Sequence, residues 1–112
     1  MQPEETWLID MLRAARRCLT FTSGLSMEQF LDDEKTVSAV LHQLMVLGQA
    51  TKRVSDEYRT AHTDLPWRQI AGTRDRLIHG YDLVDLEIVW RTVTDDLPPL
   101  VAALEMLVPP AE

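Results

Sequence analysis

The residues with the most evident chemical potential lie between positions 74 and 81, where the chain reads Arg-Asp-Arg-Leu-Ile-His-Gly-Tyr. On a helix, Asp75 and His79 would lie on one side, four residues apart, and could form a hydrogen bond. Such a carboxylate would select one imidazole tautomer and favour the charged ring. Arg74 and His79 are five residues apart, or about 140° around an ideal helix. They can therefore converge only through the helix end at Gly80 or across an interface between two copies of the chain.

These side chains suit proton transfer on a phosphate ester. An imidazole exchanges protons near neutral pH, and a guanidinium from Arg74 or Arg76 can hold a phosphate and stabilise charge that develops on it. RNA carries its own nucleophile, the ribose 2′-hydroxyl, so a base and a phosphate clamp suffice to cut its backbone without a metal ion. A purely structural interpretation stays open, in which His79 is stabilised by Asp75 and by the helix C-terminus, and the arginines are surface residues.

Other catalytic and metal-binding patterns are missing from the sequence. It contains no HExxH, no phosphate-binding Gly-rich loop and no GxSxG. Its three histidines, His42, His62 and His79, are widely separated, and no close group of His, Cys and carboxylates resembles a metal site. The single cysteine, Cys18, excludes an internal disulfide and is expected to be buried. We therefore expect neither a cofactor nor a bound metal ion.

Composition indicates one ordinary globular domain over residues 1–112, with 46% hydrophobic and 26% charged residues. The net charge of −7 is uneven: residues 52–81 carry +2 and the remainder −9. A second small basic cluster consists of Arg13, Arg16 and Arg17. Such a layout fits local contact with a polyanion, although these charges could equally be solvated helix faces. No apolar run is long enough for a membrane span, and the first residues lack a secretory signal, so we expect a cytoplasmic protein.

Hydrophobic periodicity predicts an all-α fold, an up-and-down bundle of four to five helices. Apolar residues recur at three- and four-residue spacing, and the short loops between segments favour antiparallel neighbours. The predicted helices run from about Glu4 to Phe21, from about Glu34 to Tyr58 and from about Pro66 to His79. A fourth follows Asp85, which is expected to cap it.

Capping and breaking residues divide these segments. Ser26 and Gln29 form a capping-box pattern that predicts a short helical turn, and Asp32 or Asp33 is expected to cap the long helix that follows. Gly80 is a typical stop for the third helix. Pro98 and Pro99 lack backbone donors and are expected to kink or break the last helix.

Residues Arg74 to Tyr81 resemble the Arg-x4-His-x-Tyr motif of the HEPN superfamily, specifically its HepT-type toxins. The surrounding chain resembles that family in the same order, through Leu47-Gly48-Gln49-Ala50, Leu65-Pro66-Trp67-Arg68, Val84-Asp85-Leu86 and Asp96-Leu97-Pro98-Pro99 among other blocks. The likeness covers about residues 5–107. A lone Arg-x4-His would be unspecific, but within these blocks it indicates the family.

This resemblance implies a HEPN bundle that forms a homodimer, with two motif copies around a shared cleft. It implies a metal-independent endoribonuclease in which Arg74 and His79 are the catalytic pair and RNA is the substrate. Asp75 occupies the family's polar position after the arginine and is interpreted as orienting His79, and Arg76 is the second supporting residue.

The same resemblance implies a partner and a form of regulation. Family members are paired with a minimal nucleotidyltransferase antitoxin, which attaches AMP to the motif tyrosine, here Tyr81, in a type VII-like toxin–antitoxin system. Added phosphates beside the base would compete with RNA for the same cationic site. The alternative hypothesis is a non-catalytic helical partner that binds a nucleotidyltransferase or a nucleotide, which the acidity of the chain favours.

Overall fold

A computed structural model of the chain consists of α-helices joined by short turns. It describes residues 3–79 and 84–108, and the side chains of residues 4–73 and 84–108. The helices are α1 (Pro3–Thr22), α2 (Met27–Asp32), α3 (Glu34–Arg53), α4 (Asp56–Ala61), α5 (Trp67–His79), α6 (Leu86–Arg91) and α7 (Leu97–Leu107), with a π-helical segment at Thr92–Asp96. No β-strand occurs in these ranges, so the predicted all-α bundle is confirmed. None of the helices described there has the length and apolar character to cross a membrane.

The two longest helices, α1 and α3, pack side by side in opposite directions. Near the end of α1, Cys18 Sγ lies 3.8 Å from the carbonyl oxygen of Val40, early in α3. Near the start of α1, the ring of Trp7 lies 4.9 Å below the guanidinium of Arg53, the last residue of α3. Residue numbers therefore increase along α1 in the direction in which they decrease along α3. The two helices are antiparallel, as the short loops predict. α5 packs on α3, and α7 packs on α1.

The core is formed by the apolar stripes of these helices. Its largest fully buried side chains include Phe30, Leu8, Met11, Leu44 and Leu104. Burial of one such side chain stabilises the fold by about 1.5–3 kcal/mol. Trp67 is buried, while Trp7 and Trp90 are partly buried against this core.

Side-chain caps begin three of the helices as predicted. Ser26 Oγ accepts a hydrogen bond from the Gln29 amide at 3.1 Å, and Gln29 Oε1 accepts one from the Ser26 amide at 2.9 Å. Asp33 caps α3, accepting from the amide of Thr36 at 3.1 Å and from its hydroxyl at 2.7 Å. Asp85 caps α6. Each of these caps replaces water on an otherwise unpaired helix N–H.

The predicted second long helix is shorter than its hydrophobic stripe. It ends at Arg53 rather than Tyr58, because Val54 is extended, with ψ at 134°. Ser55 then caps a separate helix, α4, by accepting from the Tyr58 amide at 3.1 Å. Val54 is still buried, so the apolar pattern continues across a break in the backbone.

The interruption before α7 also differs from the prediction. Pro98 and Pro99 do not break the last helix; they lie in the first turn of α7, where a missing N–H costs no helical hydrogen bond. The irregularity comes earlier, in the π-helical segment, whose last bond joins the Leu97 amide to the carbonyl of Thr92. This wider turn connects α6 to α7 without a loop.

Candidate functional site

Helix α5 carries the predicted site, and its first turn is firmly anchored. Trp67 and Ile70 are buried. The indole N–H of Trp67 donates to the carbonyl oxygen of His62 at 2.7 Å. The same ring meets Tyr58 edge-on at 6.2 Å, and Tyr58 stacks on His62 at 4.0 Å. This contact between α4 and α5 fixes the start of the helix whose other end holds the motif.

The C-terminal half of α5 contains four of the five predicted site residues. Arg74, Asp75, Arg76 and His79 all belong to one continuous helix that ends at His79, as predicted. The helical period therefore applies to them: positions 75 and 79 share a side, and positions 74 and 79 are about 140° apart. The side chains of these four residues, and the whole of Gly80 and Tyr81, lie outside the described residues.

The described part of the chain resumes at residue 84, and the start of α6 that follows is well anchored. Asp85 Oδ1 accepts hydrogen bonds from the amides of Glu87 at 2.9 Å and Ile88 at 3.4 Å, which begins α6. In that helix Val89 is buried, and the ring of Trp90 lies 5.3 Å from that of Phe30. The start of α6 is therefore fixed both by its cap and by packing against the core.

Grooves of similar size border α5 on two sides of the part whose side chains the structure describes. The first, called here the apolar groove, has a volume of about 600 Å³ and lies between α3, α5, α6 and α7. Its lining is mainly aliphatic, with the carboxylates of Asp64 and Asp96. The second, called here the basic groove, has a volume of about 590 Å³ and is lined by Arg59, Arg68 and Gly72 among others. The two grooves share Leu65, Pro66 and Gln69 at the start of α5 and diverge along the helix, with carboxylates in the lining of the apolar groove and arginines in that of the basic groove.

Arg59 has a structural role that the sequence did not reveal. Its Nε donates to the carbonyl oxygen of Val54 at 3.0 Å, and its Nη2 donates to those of Thr51 at 3.1 Å and Lys52 at 2.9 Å. A cation is favourable at a helix C-terminus, where carbonyl groups lack partners. Arg59 therefore closes the end of α3 and holds a fixed positive charge beside the basic groove.

The predicted second basic cluster lies on α1, which packs against α3 and α7. Arg16 forms an ion pair with Glu105 at 3.5 Å, and both side chains are about half exposed. Exposed pairs of this kind stabilise a fold only slightly. Arg13 and Arg17 are exposed.

Cys18 is buried, as predicted, and burial raises the pKa of its thiol to about 12. Among the side chains that the structure describes, no group of three His, Cys, Asp or Glu residues could hold a metal ion.

A family model described as ribonuclease HepT-like matches residues 11–107. The protein named "Probable ribonuclease HepT" of Thermococcus cleftensis is 38% identical over 101 residues, covering 90% of this chain and 92% of that protein. "Putative RNase TTE0752" of Caldanaerobacter subterraneus subsp. tengcongensis is 33% identical over 100 residues, covering 89% of each chain. No solved structure matches the chain. The chain therefore belongs to the HepT-like ribonuclease family, as its motif predicts, and is an enzyme of the ribonuclease class.

Proposed function

We propose that this chain is the toxin of a toxin–antitoxin pair and cleaves RNA without a metal ion. The observation that carries the proposal is the continuity of α5 through His79, in a chain of a ribonuclease family. One continuous helix then fixes the spacing of Arg74 and His79 along its axis, so that two copies of the helix can supply both kinds of side chain to one phosphate.

The chemistry needs only these side chains and the substrate. His79 takes the proton of the ribose 2′-hydroxyl, the 2′-oxygen bonds to phosphorus, and the bond from phosphorus to the 5′-oxygen breaks. The 5′-oxygen takes up a proton from solvent, which leaves a cyclic phosphate and a free 5′-hydroxyl. Arg74 stabilises the charge on the phosphate oxygens, Asp75 orients the imidazole, and Arg76 supports the phosphate.

Dimer formation is part of this proposal. Because positions 74 and 79 diverge by about 140° on one helix, two copies around a shared cleft supply a complete set more readily than one copy. A homodimer also places two cationic motifs side by side, which concentrates positive charge at the cleft although each chain carries a net charge of −7.

Regulation by a minimal nucleotidyltransferase antitoxin completes the proposal. The phenol oxygen of Tyr81 would attack the α-phosphate of ATP and release pyrophosphate, so that AMP becomes attached two residues from His79. The added negative charge would occupy the cationic site that RNA requires.

The deciding test is cleavage of RNA by purified protein in the presence of a chelator. We expect His79→Ala to lower the cleavage rate by about 10²–10⁴-fold, the usual contribution of a general base. His42→Ala is the matched control, because His42 is exposed on α3, and it should cut at the wild-type rate. Undiminished cleavage by His79→Ala would refute the assignment.

The partner is tested in the same preparation. After co-expression with a nucleotidyltransferase, mass spectrometry should find AMP units on Tyr81 and no cleavage. A wild-type chain that cuts no RNA and binds the nucleotidyltransferase tightly would instead support the non-catalytic partner.

A further inference from the structure

We propose that the basic groove binds the RNA strand beside the bond that is cut, with Arg68 contacting a backbone phosphate a few nucleotides away. This inference rests on the proposed function, because it extends the same site along α5. It assigns substrate binding to Arg68 and Gly72, which lie upstream of the motif.

The first observation concerns the exposed guanidinium of Arg68. It is exposed, lines the basic groove, and makes no hydrogen bond or ion pair with any residue that the structure describes. Its neighbour Arg59 is held by three carbonyl oxygens and adds a fixed positive charge. A planar guanidinium that can form two parallel hydrogen bonds is well suited to a phosphate.

The second observation is the helical register. At about 100° per residue, positions 68, 72 and 79 of α5 fall within roughly 40° of one another, on one side of the helix. Positions 68 and 79 are roughly 16 Å apart along the axis. A strand that lies against this side of α5 therefore passes Arg68 before it reaches the level of the motif.

Gly72 lies between these positions, and its lack of a side chain leaves space next to the helix backbone. A Cβ atom built at Gly72 meets nothing within 4 Å, so the position is open space next to the groove. With no side chain there, a backbone phosphate or ribose can approach the helix closely.

The charge around the rest of α5 selects this groove over the other. The apolar groove is lined by Asp64 and Asp96, which would repel phosphates. The whole chain carries −7, so a polyanion is confined to the few places where the local charge is positive. The occupant that fits the basic groove is therefore a single RNA strand.

The test measures binding separately from cleavage. The probe is a fluorescent single strand of about twelve 2′-O-methyluridine nucleotides, which lacks the 2′-hydroxyl nucleophile, and its anisotropy is followed at several KCl concentrations. Arg68→Glu and Gly72→Glu should each raise Kd by about tenfold or more. Arg68→Ala should lower the salt-dependence slope by about 0.7, the loss of one phosphate contact on a single strand. Circular dichroism checks that each variant is folded.

The matched control is Lys35→Glu, which reverses one exposed positive charge in the first turn of α3. The groove lies at the other end of α3, where Arg59 donates to the carbonyl oxygen of Lys52, roughly 25 Å from position 35 along the helix axis. This separation exceeds two Debye lengths of about 10 Å, so the control should leave Kd within about twofold. Equal weakening by Lys35→Glu and Arg68→Glu, unchanged Kd in both groove variants, or no binding by the wild type would each overturn the inference.

Failure of this inference and failure of the proposed function give different results. If the wild-type protein cuts unmodified RNA and Arg68→Glu leaves Kd unchanged, only the proposal that the basic groove binds RNA is contradicted. If the wild-type protein binds the probe through Arg68 but cuts no RNA, the proposed nuclease activity is contradicted and RNA binding in the basic groove is supported.

Discussion

At the scale of single residues, two glycines show how backbone conformation decides the effect of one methyl group. Gly72 lies within α5 and Gly24 follows α1, and an added Cβ meets nothing within 4 Å at either position. They differ in φ, which is +79° at Gly24. An added methyl group would therefore make no new contact at either glycine, and the two substitutions differ only in backbone preference.

We expect Gly72→Ala to stabilise the protein by about 0.5–1 kcal/mol, because alanine favours the helix and loses less entropy on folding. Gly24→Ala should destabilise it by about 1 kcal/mol, because a side chain is strained at positive φ. Urea unfolding of both variants beside the wild type measures the difference. A shift of the two midpoints in the same direction would contradict the backbone explanation.

Arg59 shows, at the same scale, why the role of a residue can be hidden in the sequence. It was counted with Arg68 among the positive charges of residues 52–81. The structure assigns Arg59 to the carbonyl end of α3 and leaves Arg68 exposed in the groove. The difference depends on the break at Val54, because the chain turns there and Arg59 comes to lie beside the end of α3. No local sequence pattern predicts this contact.

At the scale of elements, the start of α3 depends on a titrating side chain. The hydroxyl of Thr36, and then its amide, donate to Asp33 and hold the pKa of this carboxyl below its usual value. The folded pKa is thus lower than the unfolded one. The stabilisation is present above about pH 4 and is lost as pH falls through the folded pKa.

We expect Asp33→Asn to weaken this dependence on acid. Asparagine keeps an oxygen that can accept from the Thr36 amide, but it does not titrate. Between pH 7 and about pH 3, the urea midpoint of the variant should therefore fall less than that of the wild type. Equal losses in the two proteins would show that the cap does not contribute to acid sensitivity.

Elements with a strong end signal were predicted well. The Ser26 and Gln29 capping box, the Asp85 cap and the end of α5 at His79 agree with the structure. The break at Val54 was missed because a buried valine extends the apolar stripe and outweighs the cap at Ser55. The effect of Pro98 and Pro99 was misjudged because their cost depends on whether they fall within a helix or in its first turn. For the candidate site, helix α5 and the positions of the motif residues on it could be predicted from the sequence. The basic groove could not, because it forms only when α4 packs against α5.

At the scale of the whole molecule, the helices form a slab of 40 × 33 × 20 Å. Its thickness is about two helix diameters. Cys18 lies within it, fully buried on α1 and with its Sγ 3.8 Å from the Val40 carbonyl oxygen on α3. A reagent can reach this sulfur only when the packing of α1 on α3 opens.

We expect the Cys18 thiol to report global unfolding. In the native protein it should react with a thiol reagent at least about 10³-fold more slowly than in urea, because opening costs most of the free energy of unfolding. Burial also raises the thiol pKa, so little thiolate forms before unfolding. Rapid labelling without denaturant would mean that α1 and α3 separate locally.

The π-helical segment has a consequence for how the chain can vary. Val89, Val93 and Leu97 follow one another in steps of four, and all three are buried. In a regular α-helix each such step overshoots by roughly 40°, so the wider turn restores the phase between α6 and α7. Deleting one residue there would swing α6 by about 100° and carry Val89 out of the interior. Substitutions are thus tolerable at the exposed residues Thr94, Asp95 and Asp96, whereas loss of the buried Val93 or a change in the length of the segment is not.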